Sequence, residues 1–192
     1  RDRRGYFIRQ FTLIKEVAAM IPGEKITLRA LEKRDVEFLR ALRNHPEMMP
    51  FHCSYMPVTE TQQEKWYERT ATDTRNVVFI VEDPDGKAVG YVQMNGIDHK
   101  NRSVEIGIHL SPQAQGKGYG KDAFRTLMRF AFREMNMHRV FLQVFAFNER
   151  AIDLYKKLGF REEGRARDAI FQNGQYHDLV VMSILESEFE SA

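Results

Sequence analysis

The run Gln115-Gly116-Lys117-Gly118-Tyr119-Gly120 constrains this chain more than any other stretch. It stands between a strand-like segment, 104–110, and a helical one, 121–135. Alternating glycines at a strand-to-helix turn let backbone amides face one point with no Cβ in the way. The helix start behind them adds unsatisfied N–H groups and the positive end of its dipole. The spacing therefore predicts a loop that holds a phosphate or pyrophosphate.

Two common phosphate-binding patterns fail here. The nucleotide P-loop requires Gly-Lys-Ser/Thr, and Gly120-Lys121 is followed by Asp122. The dinucleotide fingerprint places two residues between its second and third glycines, whereas Tyr119 alone separates Gly118 from Gly120. What fits is Gln-x-x-Gly-x-Gly.

Around the loop, strands are expected over 25–30, 77–81, 88–97, 103–110, 139–146, 168–172 and 175–185. Helices are expected over 34–44, 59–70, 121–135 and 148–158. Thr59 and Gln62 have capping-box spacing, and Asn173-Gly174 has type I′ turn chemistry. Phe124, Leu127, Met128, Ala131, Phe132 and Met135 share one helix face, a core stripe. The segment 47–58 is irregular. Before the domain, Phe7, Phe11, Ile14, Val17 and Ala18 recur at helical spacing. They predict an amphipathic helix ending at Pro22-Gly23, hence a helical extension over 1–23 and a single α+β domain around a mixed sheet over 24–192. The extension is expected to pack on the domain or on a second subunit, so a homo-oligomer stays open.

Charge narrows the partners. Lys and Arg total 29 against 27 Asp and Glu, a near-balance that argues against a nucleic-acid groove or an acidic membrane surface. No apolar run is long enough to span a membrane. Cys53 is the only cysteine, which excludes an intrachain disulfide and cysteine-rich zinc sites, so no metal is expected and a cytoplasmic setting is.

A second motif lies on the helix over 148–158. Asn148, Ala151, Ile152 and Tyr155 share a face, and with Leu154 and Gly159-Phe160 they spell Asn-x-x-Ala-x-x-Leu-Tyr-x-x-x-Gly-Phe. The two motifs, in this order with a helix and strand between them, resemble the acetyl-CoA motifs of the GNAT N-acetyltransferase superfamily. The resemblance covers about 25–189. The tail Phe171-Gln-Asn-Gly-Gln-Tyr-His-Asp178 is similar to that of the spermidine and ribosomal-protein N-terminal acetyltransferase branch.

The resemblance implies a mostly antiparallel sheet of about seven strands flanked by about four helices. It also implies acetyl transfer from acetyl-CoA to a primary amine within a ternary complex. Gln115, Gly116, Lys117, Gly118, Tyr119, Gly120 and Lys121 would hold the pyrophosphate, though Lys117 and Lys121 also read as solvated lysines. Ile108, His109 and Leu110 would line the pantetheine arm on a strand that splays from its neighbour, with a backbone N–H near Leu110 facing the oxyanion. Asn148 and Ala151 would meet the arm from the helix, and Tyr155 would protonate the departing thiolate.

Glu105 is the candidate base or amine-binding carboxylate; a surface ion pair with Arg102 or Arg139 is the alternative. His109 reads as a histidine beside the cofactor rather than a base. The acceptor is expected to be a small amine or polyamine selected by 34–70, but 48–59 carries no carboxylate, which speaks against spermidine. A ribosomal-protein N-terminus is the alternative acceptor, and a silent acetyl-CoA sensor the alternative function.

Overall fold

Alternating apolar residues pair into one twisted layer in the computed structural model, which describes residues 20–52 and 55–189. Eight strands carry it: β1 (Met20–Pro22), β2 (Thr27–Ala30), β3 (Val77–Glu82), β4 (Ala88–Asp98), β5 (Ser103–Leu110), β6 (Arg139–Phe145), β7 (Arg161–Gln172) and β8 (Gln175–Leu185). Among them run α1 (Val36–Arg43), α2 (Glu60–Thr70), α3 (Tyr119–Arg133) and α4 (Glu149–Lys157), with a last turn α5 (Glu186–Phe189). The sheet order is β1-β2-β3-β4-β5-β6-β8-β7. Every neighbouring pair is antiparallel except β5 and β6, which α3 joins as a crossover.

The expected α+β architecture is thus present, with one strand more than the seven expected. One face of the sheet buries Phe124, Leu127, Met128 and Ala131 of α3 against Val92, Met94, Val104, Ile106, Val140 and Leu142. The other face packs Leu39 and Leu42 of α1 on Val78, Ile80 and Tyr91. Burial on both faces closes a layered core. The expected capping box and hairpin turn are formed as well: Thr59 and Gln62 make the reciprocal box, and Asn173 and Gly174 take φ of 51° and 81°.

Two expectations fail. Met20–Pro22 is a strand on Thr27–Arg29, not a helix end; the rest of the expected helix, Phe7 to Ala18, lies outside the described residues. Tertiary contact overrides local pattern here, because Asp122 of α3 accepts the N–H groups of Glu24, Lys25 and Ile26 and fixes the turn after β1. Strand β7 starts at Arg161 rather than 168, through two register shifts. Its first half, Arg-Glu-Glu-Gly-Arg-Ala-Arg, is an exposed edge with no apolar alternation to show it.

Candidate active site

Strands β5 and β6 begin as a parallel pair and then part. Their register runs Ser103↔Arg139, Val104↔Val140 and Glu105↔Phe141, and no pair follows. Each keeps its other neighbour: Leu110 still faces Gly90 of β4, and Phe145 still faces Leu179 of β8. The two half-sheets diverge beyond Glu105, and a cleft of about 1190 Å³ runs through the opening.

Backbone polarity alternates along an antiparallel strand. Ser111 donates to the Val89 carbonyl at 2.9 Å, so by alternation His109 and Gly107 also turn their N–H and C=O groups to β4. Ile108 and Leu110 turn theirs across the opening, where β6 no longer receives them. Gln115 Nε2 meets the Leu110 carbonyl at 3.4 Å, in agreement with that sense. Two strand N–H groups are left to satisfy whatever enters the cleft.

At the wide end of the cleft, Gly116 and Gly118 have φ of 78° and 85°, a region a side chain would strain. Gly118 is the N-cap of α3 and has no side chain to offer its first turn. The first helical bond runs from Asp122 N to Gly118 O, so the N–H groups of Tyr119, Gly120 and Lys121 precede the ladder. With a helix of 15 residues behind them, those of Gly120 and Lys121, which line the cleft, are placed to hold an anion. A Cβ on Gly120 would stand 3.4 Å from Leu110 Cδ1, so this glycine keeps the loop close on β5.

Gln115, Gly116, Gly118, Gly120 and Lys121 line the cleft. Lys117 and Tyr119 do not; the Lys117 ammonium lies 5.9 Å from the Tyr119 ring centroid, outside. Two basic residues that no motif announced are here too. Arg150 of α4 donates to Gln115 Oε1 at 2.9 Å and ties that helix to the loop. Lys25, carried in by the grip of Asp122, has its Nζ 3.3 Å from where a Cβ on Gly118 would stand.

Helix α4 brings Asn148, Ala151 and Tyr155 to the cleft. Asn148 Oδ1 accepts the Ala151 N–H at 3.3 Å as the N-cap, which leaves its NH2 group over. The Tyr155 ring is wedged beside Phe124 and Phe160, with centroids 5.1 and 5.9 Å away. Burial pushes its phenol up to about 12, so it keeps its proton through the physiological range. No described group bonds its hydroxyl.

Glu105 stands where the strands part, half-buried. Neither arginine that could neutralise it does so. Arg102 bonds Asn136 O at 2.6 Å and Oδ1 at 2.8 Å and reaches Glu186 at 3.3 Å. Arg139 pairs with Glu163 and covers the Phe141 ring. Burial raises the Glu105 carboxyl above its usual range.

The strand pleat separates Ile108 and Leu110, whose side chains approach Gly120, from His109, which faces α1 and α2. All three line the cleft. The His109 ring is stacked between Tyr91 at 4.8 Å and His52 at 4.3 Å. Burial, then the neighbouring His52 and Arg43, lower it to about 3, so it is a neutral ring and a poor base. Leu39, Arg43, Met48, Phe51 and Trp66 complete this wall. Among the described residues, no cluster of His, Cys, Asp and Glu is arranged to hold a metal.

These features suit acetyl-CoA: a cradle of amides for the pyrophosphate, a gap with free strand N–H groups for the arm, and a protonated phenol beside it. Comparison with known proteins agrees. The chain belongs to the GNAT acetyltransferase family, whose domain model matches residues 25–161. It is similar to the spermidine N(1)-acetyltransferase of Vibrio cholerae, 32% identical over 87% of this chain and 96% of that protein. A putative ribosomal N-acetyltransferase of Bacillus subtilis is 31% identical over 88% of this chain and 95% of that one. The crystal structure of the Vibrio cholerae enzyme with CoA and spermine superposes with a TM-score of 0.83, at 32% identity, over 86% of this chain and 98% of that one. The chain is accordingly an acetyl-CoA-dependent N-acetyltransferase.

Proposed function

We propose that the chain acetylates a primary amine by direct attack within a ternary complex, with a small amine, polyamines included, as acceptor. Glu105 carries the reading: a half-buried carboxylate, unpaired among the described residues, where the two half-sheets part. An alkyl ammonium has a pKa near 10.4 and must lose a proton before it attacks. Glu105 binds that ammonium and takes its proton, directly or through water; its raised pKa brings it nearer the pH of the reaction, where a base works best.

Acetyl-CoA supplies the acetyl thioester. The N–H groups of Ile108 and Leu110 donate to oxygen at the opening between β5 and β6. Tyr155 holds the proton the leaving sulfur needs, and the amides of the glycine loop hold the phosphates. Likeness to spermidine N-acetyltransferases supports a small amine. Likeness to a ribosomal N-acetyltransferase supports a peptide N-terminus as the second reading. A cytoplasmic setting belongs to the same proposal.

The test is Glu105→Gln, followed by CoA release on a panel of amines and N-terminal peptides. The wild type should show an acid limb in kcat/KM above the ordinary glutamate value of about 4.5, since the carboxyl must ionise to act. The variant should lose that limb and on the order of a hundredfold in rate, with the KM for acetyl-CoA nearly unchanged. Equal rates for variant and wild type from pH 5 to 9 would return Glu105 to a structural role.

A further inference from the structure

The face of the cleft opposite the glycine loop carries an unexpected charge. Besides two histidines held neutral by burial, its lining from α1, α2, β4 and β5 offers one acidic and one strongly basic side chain among the described residues, Glu105 and Arg43. The other charged lining groups, Lys121, Glu149 and Arg150, belong to the starts of α3 and α4.

Among the described residues, Arg43 has no carboxylate partner. One terminal nitrogen donates to Gln63 Oε1 at 3.2 Å, and its guanidinium carbon lies 5.8 Å from the Trp66 ring centroid. Its other N–H groups have no acceptor among the described residues. Gln63, itself fully buried, has an amide nitrogen with no partner among the described residues. The buried Nε2 of His52, in the same wall, has none either. A half-buried arginine is well made for a planar carboxylate, which it can grip with two parallel bonds.

A polyamine fits this wall poorly, because each further ammonium would approach a fixed cation with one carboxylate to offset it. Arg43 lines the same cleft as the stacked His52, His109 and Tyr91 and is close enough for its charge to act on all three; His109 is the residue between the two free strand N–H groups. Glu105 lies four residues back along β5, about 13 Å at the rise of a strand. An acceptor with its amine at the opening would have Glu105 on one side and Arg43 on the other.

We propose that the acceptor is a small amine bearing a carboxylate, an amino acid or close analogue, and that Arg43 reads the carboxylate. This rests on the amine-acetylation reading above and narrows its acceptor class.

The test uses free amino acids, each paired with its primary amide, and spermidine, assayed by CoA release. Wild type should prefer free acid to amide by at least tenfold in kcat/KM and use spermidine less well than the best amino acid. Arg43→Gln should abolish the preference by losing activity on the acid alone, with the KM for acetyl-CoA unchanged. Arg43→Lys should keep part of the preference, which guards against a variant that simply misfolds. Equal loss on acid and amide, or a wild type that favours spermidine, would overturn the role of Arg43 while leaving amine acetylation standing. Failure of every amine and N-terminal peptide would overturn the wider reading, and this one with it.

Discussion

The two halves of the cleft are built by different means. The half around the glycine loop, α3 and α4 is made largely of backbone: left-handed Gly116 and Gly118, the first N–H groups of α3, and the free N–H groups of Ile108 and Leu110. The half under α1 and α2 is made of side chains, Arg43, His52, Trp66, Tyr91, Glu105 and His109, drawn from five separate segments. Backbone recognition needs glycines at fixed spacing and suits a partner that never changes. Side-chain recognition leaves each position free to vary with the acceptor. Changes in the first half should therefore act on acetyl-CoA, and changes in the second on the choice of amine.

The largest effect is expected where the halves meet. Tyr155→Phe keeps the ring packed on Phe124 and Phe160 and removes only the hydroxyl. General acid catalysis is worth about 10²–10⁴-fold, and kcat should fall by that factor with acetyl-CoA affinity little changed. The loss should appear equally in kcat and kcat/KM if the proton matters only in the transition state. A variant that keeps more than half the wild-type kcat, with chemistry rate-limiting, would remove Tyr155 as the acid.

A smaller effect tests the backbone half. Gly118→Val forces a β-branched residue to φ 85° at the N-cap and places its Cβ 3.3 Å from Lys25 Nζ. Affinity for acetyl-CoA should drop at least tenfold, about 1.4 kcal/mol, while the ranking of acceptors stays as in the wild type. Calorimetry showing unchanged affinity in a folded variant would dismiss the loop as the anion site; a changed acceptor ranking would break the division between the halves.

This division also explains what could be read in advance. The continuous apolar run from Val77 to Val81, the alternation of Val140, Leu142 and Val144, and the stripe on α3 announced strands and a helix, because burial on two faces gives an apolar run and burial on one imposes a period. The glycine loop and the Asn148–Tyr155 face were legible for a related reason, since local spacing alone sets their geometry. Strand β1 and the first half of β7 were not: one is held by Asp122 from far along the chain, the other is a polar edge. Glu105 could be picked out by its place in β5, but that Arg102 and Arg139 leave it unpaired is a fact of tertiary contact. Arg43 gave no signal at all. In sequence it is a basic residue in the last turn of a helix, where the dipole alone would account for it.

The smallest effect concerns Lys25, which belongs to the cofactor half although it lies on the turn before β2. Asp122 binds the backbone N–H of Lys25 at 2.6 Å, not its side chain, so Lys25→Ala should leave the turn in place. What it removes is a cation at the glycine loop. The side chain is exposed, and an exposed charge contributes modestly because water and salt screen it. The KM for acetyl-CoA should rise roughly two- to fivefold at low ionic strength, with kcat and acceptor ranking unchanged. Added salt should weaken the wild type toward the variant, because screening erases the same interaction that the substitution deletes. If the difference instead persists undiminished at high salt, Lys25 acts by packing against the loop rather than by its charge. If no difference exists at low salt, the ammonium serves only solvent, and the loop holds the phosphates without Lys25.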